Sequence, residues 1–520
     1  MLRRTFFFLA GAAVARPVVA QSRFNVLVYG STPAGVAAAI AAARTGARVG
    51  LVEPGGHVGG RFSDALGFDE INRMDESSYG GLFSALRAKV DEHYGAPTLL
   101  PEPGVHEKLL RAWLEAERVE LLDGFGSARL ERAGGTLAAL GGADGRRLEA
   151  QIFIDATYMG DLLGQAGSSW KLGREGAAQY NESLAGVRRV IENPPGELEI
   201  PVFHSPVSPF RGEDFLVPML HGMSDGARPD GSEDPHLQAA NLLACMSKNP
   251  DNRVPFEKQP RAYSPAEFEI LARELARLPE LRYGFGAIPN DKGKMNESIA
   301  RLVHWGYVGG CDGYPQANMT SRRELWERHK GYTERLIWFL QNEPAVPEAL
   351  RESMREWGLA KDEFTDNDNW PRGLYVREGR RLVGDFVLTQ KDLYEDNRKE
   401  DSIALGSFPV DSHAVRRLAT KEGVINEGGF LVHCPVYELP YRALLPKKSE
   451  CTNLLAPVGL SASRVAFCSV RVEPTWMALG EAAGAAAALA SKAGVGAHEV
   501  NVSEVQARLK EGGLPIKAKG

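Results

Sequence analysis

The stretch that most restricts how this chain can fold is VLVYGSTPAGVAAAI, residues 26–40. Phe24–Tyr29 is a short run of β-branched and apolar residues closed by Gly30, the text of a buried parallel strand. Ala34–Arg44 is alanine-rich, holds no proline and has only Gly35 near its start, which predicts a helix stopped by Gly46. Arg48–Val52 is a second, largely apolar strand that delivers Glu53, 23 positions after Gly30. Strand, glycine turn, helix and strand with a terminal carboxylate form the unit that binds a dinucleotide. Gly30 permits the tight turn, and Gly35 lets the helix pack closely on the sheet. The position between them needs a small residue so that backbone can approach a pyrophosphate, whose charge the helix N-terminus stabilises. G-x-G-x-x-G carries glycine there, whereas this chain has Thr32; threonine is small, and Pro33 suits a first helical turn because it lacks an N–H.

Two further segments have the character of the same site. Glycine pairs follow the first unit in Pro54-Gly55-Gly56-His57-Val58-Gly59-Gly60-Arg61, fitting a loop whose backbone runs against a flat ring. Residues 119–157 read as short strands with turns at Gly124, Gly134-Gly135 and Gly145, ending in the apolar strand Ile152–Ile154, then Asp155-Ala156-Thr157 and Gly160-Asp161. Near the C-terminus, Leu454–Val458 is an apolar strand, followed by a Ser/Ala loop and a helix opened by Pro474. Gly480, Ala482, Ala483 and Gly484 make that helix small enough for a sheet or ring to pack on it.

In chain order, GSTPAG, Glu53, HVGG, IDAT with Gly160-Asp161, and GEAAG resemble the FAD-dependent oxidoreductase family of the glutathione-reductase-like flavoprotein fold. The runs PNDKGKMN (289–296), LYVREGRRLVGDFVLTQKDL (374–393), DSIALGSFPVDSH (401–413) and YELPYRALLP (437–446) resemble signatures of one branch of it, in many cases exported bacterial proteins of unassigned substrate. In that branch the turn is commonly G-x-T-P-A-G, which puts Thr32 on pattern. The resemblance implies an α/β architecture: an FAD-binding, Rossmann-like, three-layer domain of glutathione-reductase type with an inserted mixed α+β substrate domain. It implies FAD contacts from Gly30, Ser31, Thr32, Pro33, Ala34, Gly35, Glu53, Gly59, Gly60, Arg61, Asp155, Ala156, Thr157, Gly160, Asp161, Gly480, Ala483 and Gly484. Tyr158 stands where two-dinucleotide-binding flavoproteins write the glycine of A-T-G. The N-terminus of the last helix would stabilise charge at the flavin pyrimidine edge. The boundaries expected are 22–165 and 446–495 for the FAD domain, 166–445 for the insertion and 496–520 for a tail.

At 520 residues the chain is too long for one typical core. A net charge of −6 without long charged runs gives no nucleic-acid footprint. The five cysteines form no C-x-x-C pair, so neither zinc nor an iron–sulfur cluster is indicated, and no metal site is expected. Residues 1–20 carry Arg3-Arg4, the apolar run Phe6–Ala15 and Val18-Val19-Ala20 before Gln21: a signal peptide, twin-arginine-like, too short to span a bilayer. An exported, periplasmic protein with no stable membrane span is expected.

No G-x-S-x-G elbow, H-E-x-x-H or aligned carboxylate pair appears, so the chemistry expected is the flavin's. The candidate base is His413, with His433 and Arg442 as further catalytic candidates, all in the part that leads back into the flavin domain. His57, beside Gly59-Gly60, is placed for a covalent flavin bond. Arg377, Arg380, Arg381 and Arg471 would bind an anionic substrate, balance the reduced flavin or form interface salt bridges, with Asp385 and Asp411 orienting them. The activity expected is hydride transfer from a small polar substrate (an alcohol, sugar or amine) to flavin N5. With no second G-x-G-x-x-G, electrons would leave to oxygen, a quinone or a periplasmic carrier. A flavin monooxygenase and a non-catalytic flavin-bearing binding protein are the alternatives.

Overall fold

The computed structural model describes residues 21–126, 128–212, 215–217, 222–224 and 228–519; the expected export signal, residues 1–20, lies outside the described residues. Strand β1 (Gln21–Tyr29), helix α1 (Pro33–Arg44) and strand β2 (Val49–Glu53) form the unit read from the sequence. β1 pairs in parallel with β2, Val26 opposite Val49, and on its other edge with β6 (Arg147–Asp155), Val26 opposite Ile152. β3 (Glu120–Asp123) extends the sheet beyond β2. β4 (Arg129–Ala133) and β5 (Thr136–Gly141) lead back to β6 as an antiparallel meander. β6 is nine residues long, so its first half pairs with β5 and its last residues with β7 (Leu454–Leu455), in parallel. The parallel order β3-β2-β1-β6-β7 with the meander hung on β6 is the expected Rossmann-like layer.

Strand alternation decides which side chains go to which face. Val26, Val28, Ile152 and Ile154 share a core with α1 and the long helix near the C-terminus, whereas Leu27, Tyr29 and Phe153 face Phe125, Leu140, Leu162 and Leu163. A second core gathers Leu242, Met246, Phe268, Trp305, Leu374 and Val376 around helix α2 (Met319–Asn342). Beside it lies a five-stranded antiparallel sheet whose central strand is Cys245–Ser247.

The cores divide the chain differently from the expected boundaries. Leu388, Ile403, Ala404, Val410, Phe430 and Val432, placed by the sequence within the insertion, belong to the nucleotide-side core. The last segment is also more than a tail, because helix Val502–Glu511 puts Val505 and Leu509 into that core. Among the described residues no helix is long and apolar enough to cross a membrane, and all five cysteines are buried and free.

Candidate active site

A cavity of about 200 Å³ opens at the C-terminal ends of β1 and β2, lined by Gly30, Ser31, Thr32, Glu53, Gly60 and Arg61 among others. Open parallel sheets bind ligands in this crevice. It continues into a wider space of about 690 Å³ through Pro54, Gly55, Asp161, Tyr314 and Arg322, which line both. Gly30 has φ +99°, a conformation that disfavours a side chain, and a Cβ there would come within 2.9 Å of the Thr157 nitrogen. A Cβ on Gly35 would collide with the Gly30 carbonyl oxygen, so α1 sits directly on the turn.

Thr32 does more than stay small. It is the N-cap of α1: its hydroxyl accepts from the Gly35 N–H at 3.3 Å and donates to the Ala156 carbonyl at 2.7 Å. Glycine could do neither, so threonine ties the start of α1 to the turn after β6. Glu53 is buried at the end of β2 and accepts from the Ser31 N–H at 3.1 Å, the Ser31 hydroxyl and the Gly55 N–H. Burial pushes its carboxyl above the usual range. The first N–H groups of α1 have no intrahelical acceptor, and the buried Nε of Arg61 has no partner among the described residues. A glycine cradle, a helix N-terminus, a carboxylate and an unsatisfied guanidinium nitrogen fit the adenosine diphosphate part of FAD.

Beyond Arg61 lies a shared wall. The Arg61 guanidinium stands 4.5 Å over the Tyr158 ring and 5.7 Å over that of Tyr375. Tyr158 accepts from the Arg61 N–H at 2.9 Å and donates to Glu473 at 2.7 Å, at the first turn of helix α3 (Glu473–Ala493). On the other side of Tyr375 is a second cavity of about 310 Å³, whose walls include Glu70, Glu297, Arg377, Asp411, His413 and Arg471.

His413 is buried there between two carboxylates. Its Nδ1 lies 3.2 Å from Glu297 Oε2, off the line a hydrogen bond needs, and its Nε2 lies 3.5 Å from Asp411 Oδ2. Its backbone N–H donates to Gln238 at 3.0 Å. Burial alone would raise the Glu297 carboxyl, but His413 and Arg377, 3.4 Å away, hold it down to about 2. Burial of Asp411 is likewise outweighed, by His413 and by Arg471, which donates to its Oδ2 at 2.9 Å; the carboxyl stays well below its ordinary range. Glu70 differs: burial pushes it up to about 7, and its Oε2 accepts the first N–H of α3, from Glu473, at 2.7 Å.

Several expected site residues lie elsewhere. Both oxygens of Asp155 are used inside its own turn, by the N–H and hydroxyl of Thr157 and the N–H groups of Leu162 and Leu163, so it organises the turn and lines neither cavity. Ala156 donates its N–H to Tyr29 at 2.9 Å, and Gly160 packs on Arg380. Asp161 lines the nucleotide cavity but is chelated by Arg322 at 2.9 and 2.5 Å. What packs on Gly480 and Gly484 is a helix, not a ring: their Cα atoms press on the carbonyls of Ala34 and Ala38 of α1, and Ala483 is buried beside them. Pro33 and Ala34 are likewise buried within α1, and Gly59 shapes the loop with an N–H bond to Ser31 at 2.8 Å.

His433 has a side chain 59% exposed beside Glu199, and Arg442, 44% exposed, pairs with Asp401; neither lines the His413 cavity. Asp385 is exposed and accepts a backbone N–H of Lys448 rather than orienting an arginine. His57 lines the nucleotide cavity with both ring nitrogens engaged, by Glu107 at 2.7 Å and the Ser63 carbonyl at 3.2 Å, which leaves neither for a flavin bond. Arg380 donates to Met159, and Arg381 is buried with Glu175 at 2.7 Å. The Glu102, Asp362 and Glu363 cluster already holds a cation, the Lys292 ammonium, at 2.6, 2.8 and 2.8 Å. Sequence reasoning missed Glu70, Glu297 and Tyr375 as site residues; they reach the cavity from separate segments, and Tyr375 lies in the 374–393 run, which the sequence marks only as a family signature.

The match to a family model agrees with the nucleotide cavity. The family model described as FAD dependent oxidoreductase matches residues 25–509. The alkyl hydroperoxide reductase F-subunit of Pseudomonas putida is 36% identical over 126 residues, 22% of this chain and 24% of that protein's length. Among solved structures, thioredoxin reductase from Streptococcus pyogenes is 23% identical over 31% of this chain and 41% of its own, with a TM-score of 0.18. The anhydrotetracycline hydroxylase OxyS from Streptomyces rimosus is 19% identical over 30% and 36%, with a TM-score of 0.20.

Proposed function

The chain belongs to the FAD dependent oxidoreductase family, an enzyme family with FAD as cofactor, and from that premise we propose that it oxidises a small polar substrate at a C–H beside a hydroxyl or amine. FAD, when bound, supplies an acceptor for a hydride. The turn from Gly30 to Gly35 would hold its pyrophosphate at the N-terminus of α1, and Glu53 its ribose hydroxyls. The substrate would occupy the second cavity. There His413 takes the hydroxyl or amine proton as the hydride leaves, so the substrate loses two electrons and two hydrogens and becomes a carbonyl or imine. Glu297 and Asp411 stabilise the imidazolium that results, and Arg471 fixes Asp411. The electrons then pass to oxygen, a quinone or a periplasmic carrier.

The observation that carries this reading is a histidine held between two ionised carboxylates, in a cavity whose Tyr375 touches the Arg61 of the nucleotide cavity. Anaerobic mixing of the FAD-loaded protein with alcohols, sugars and amines should bleach the flavin. In His413→Ala the bleaching should slow by about 100-fold or more with FAD content unchanged; equal rates would remove His413 from this role. We also propose export, supported by Arg3-Arg4 and the apolar run of residues 6–15. A secreted form whose N-terminus is still Met1 by mass would contradict cleavage before Gln21.

A further inference from the structure

The charges around His413 restrict what the cavity can take. Arg377 is matched by Glu297 at 3.4 Å and Arg471 by Asp411 at 2.9 Å. At the rim, Arg73 pairs with Glu199 at 2.7 Å and Asp69 with Lys294. Glu70 is engaged by the first N–H of α3 and by the Tyr375 hydroxyl at 3.5 Å. Each guanidinium of the wall therefore has its counterpart within the protein, and so does every carboxylate except Glu70. A carboxylate entering here would give up water without meeting an unmatched cation, and an ammonium would meet only Glu70, whose burial favours its neutral form, so either is costly.

Hydrogen-bonding capacity, in contrast, is left over. Arg377 Nε and Arg471 Nε are buried without hydrogen-bond partners among the described residues, and the neutral side chains of Asn72, Asn296 and Ser298 line the same space. The set mixes donors with acceptors. An ammonium only donates and a carboxylate only accepts, whereas each hydroxyl does both. Tyr375 and Phe408, with Ile200 and Leu431, add apolar wall suited to the C–H face of a ring. At about 310 Å³ the space is at the small end of ligand pockets.

We propose that the His413 cavity binds a neutral, polyhydroxylated molecule of monosaccharide size. The inference rests on the assignment of this cavity to the substrate and narrows that assignment to one charge class. It excludes the anionic substrate for which Arg377 and Arg471 were candidates in the sequence, because both guanidiniums are already matched.

The test uses the FAD-loaded protein and a panel of similar size and different charge: D-glucose, D-galactose and myo-inositol against D-glucuronate and D-glucosamine. Binding is read by calorimetry and by the flavin difference spectrum, and oxidation by anaerobic bleaching. At least one neutral member is expected to bind about ten-fold or more tighter than its charged counterparts. Equal or tighter binding of glucuronate or glucosamine overturns the proposal, as does failure of every neutral member to bind at about 10 mM. Glu297→Gln, which leaves Arg377 unmatched, is expected to shift preference toward glucuronate; an unchanged preference in a variant of normal FAD content and Tm counts against the charge argument. The wild-type panel decides the matter even if that variant fails to fold. Neutral binding without bleaching would uphold this inference and defeat the oxidation reading, so the two fail separately.

Discussion

The nucleotide cavity and the His413 cavity meet at Arg61 and Tyr375 but are made of different material. The first is built around one local segment: a positive-φ glycine, a helix N-terminus, a glycine-paired loop and the Glu53 carboxylate all fall within residues 30–61, and Tyr158, Asp161, Arg322 and Arg372 join them from elsewhere. The second is made of side chains from distant parts of the chain, with Glu70, Glu297, Arg377, His413 and Arg471 converging on one space. A site built around one segment leaves a local signature, because turns and helix starts need particular residues at fixed offsets. A site made of side chains has no such constraint on spacing, and its chemistry comes from how buried charges match one another.

The contrast can be broken at either cavity. The largest effect is expected from Gly35→Ala, whose new methyl collides with the Gly30 carbonyl. It should yield protein without FAD and with a lowered Tm, and a normally yellow, equally stable variant would refute the account of the turn. Next comes His413→Ala, expected to slow flavin bleaching by about 100-fold while leaving FAD content intact; loss of FAD in this variant would mean that the cavities are not separable.

A smaller effect concerns pH. Glu70 has a folded value of about 7 against an ordinary 4.5, so its proton favours the folded state below pH 4.5, and that contribution is lost as pH rises through 7. Glu297 has the opposite sign: it stabilises above its ordinary value of 4.5, and the contribution is lost as pH falls toward 2. Glu70→Gln keeps an acceptor for the Glu473 N–H and should flatten the fall of Tm between pH 4.5 and 7. Parallel curves for variant and wild type would contradict this.

Thr32→Gly restores the letters of G-x-G-x-x-G yet removes the cap and the bond to Ala156, and should cost about 1 kcal/mol in chemical denaturation; a gain in stability would show that only smallness matters there. Smallest of all, His433→Ala and Arg442→Ala should leave bleaching rates within about two-fold, as expected for exposed residues outside both cavities.

The same division explains what the sequence disclosed. β1, α1, β2 and Glu53 were legible because apolar strand text, an alanine helix and turn glycines each have a local physical cause. Gly480 and Gly484 were legible as small residues but not as partners of Ala34 and Ala38, because smallness does not say which neighbour comes close. Asp155 has the look of a ligand-binding carboxylate, but its oxygens serve its own turn, a use that depends on how residues 157–163 fold back. In the sequence, His413 stands out among the histidines by position alone. Its distinction from His433 is the pair Glu297 and Asp411, and Glu297 lies 116 positions away in the chain.

The central claim is that the two cavities act together, one holding FAD and the other presenting substrate to His413. Its most direct test is anaerobic stopped-flow bleaching of the FAD-loaded protein by the best neutral member of the sugar and polyol panel, in wild type and His413→Ala. The account predicts full bleaching of the wild type and a rate about 100-fold lower in the variant, with the same amount of bound FAD. Equal rates in the two proteins would contradict it.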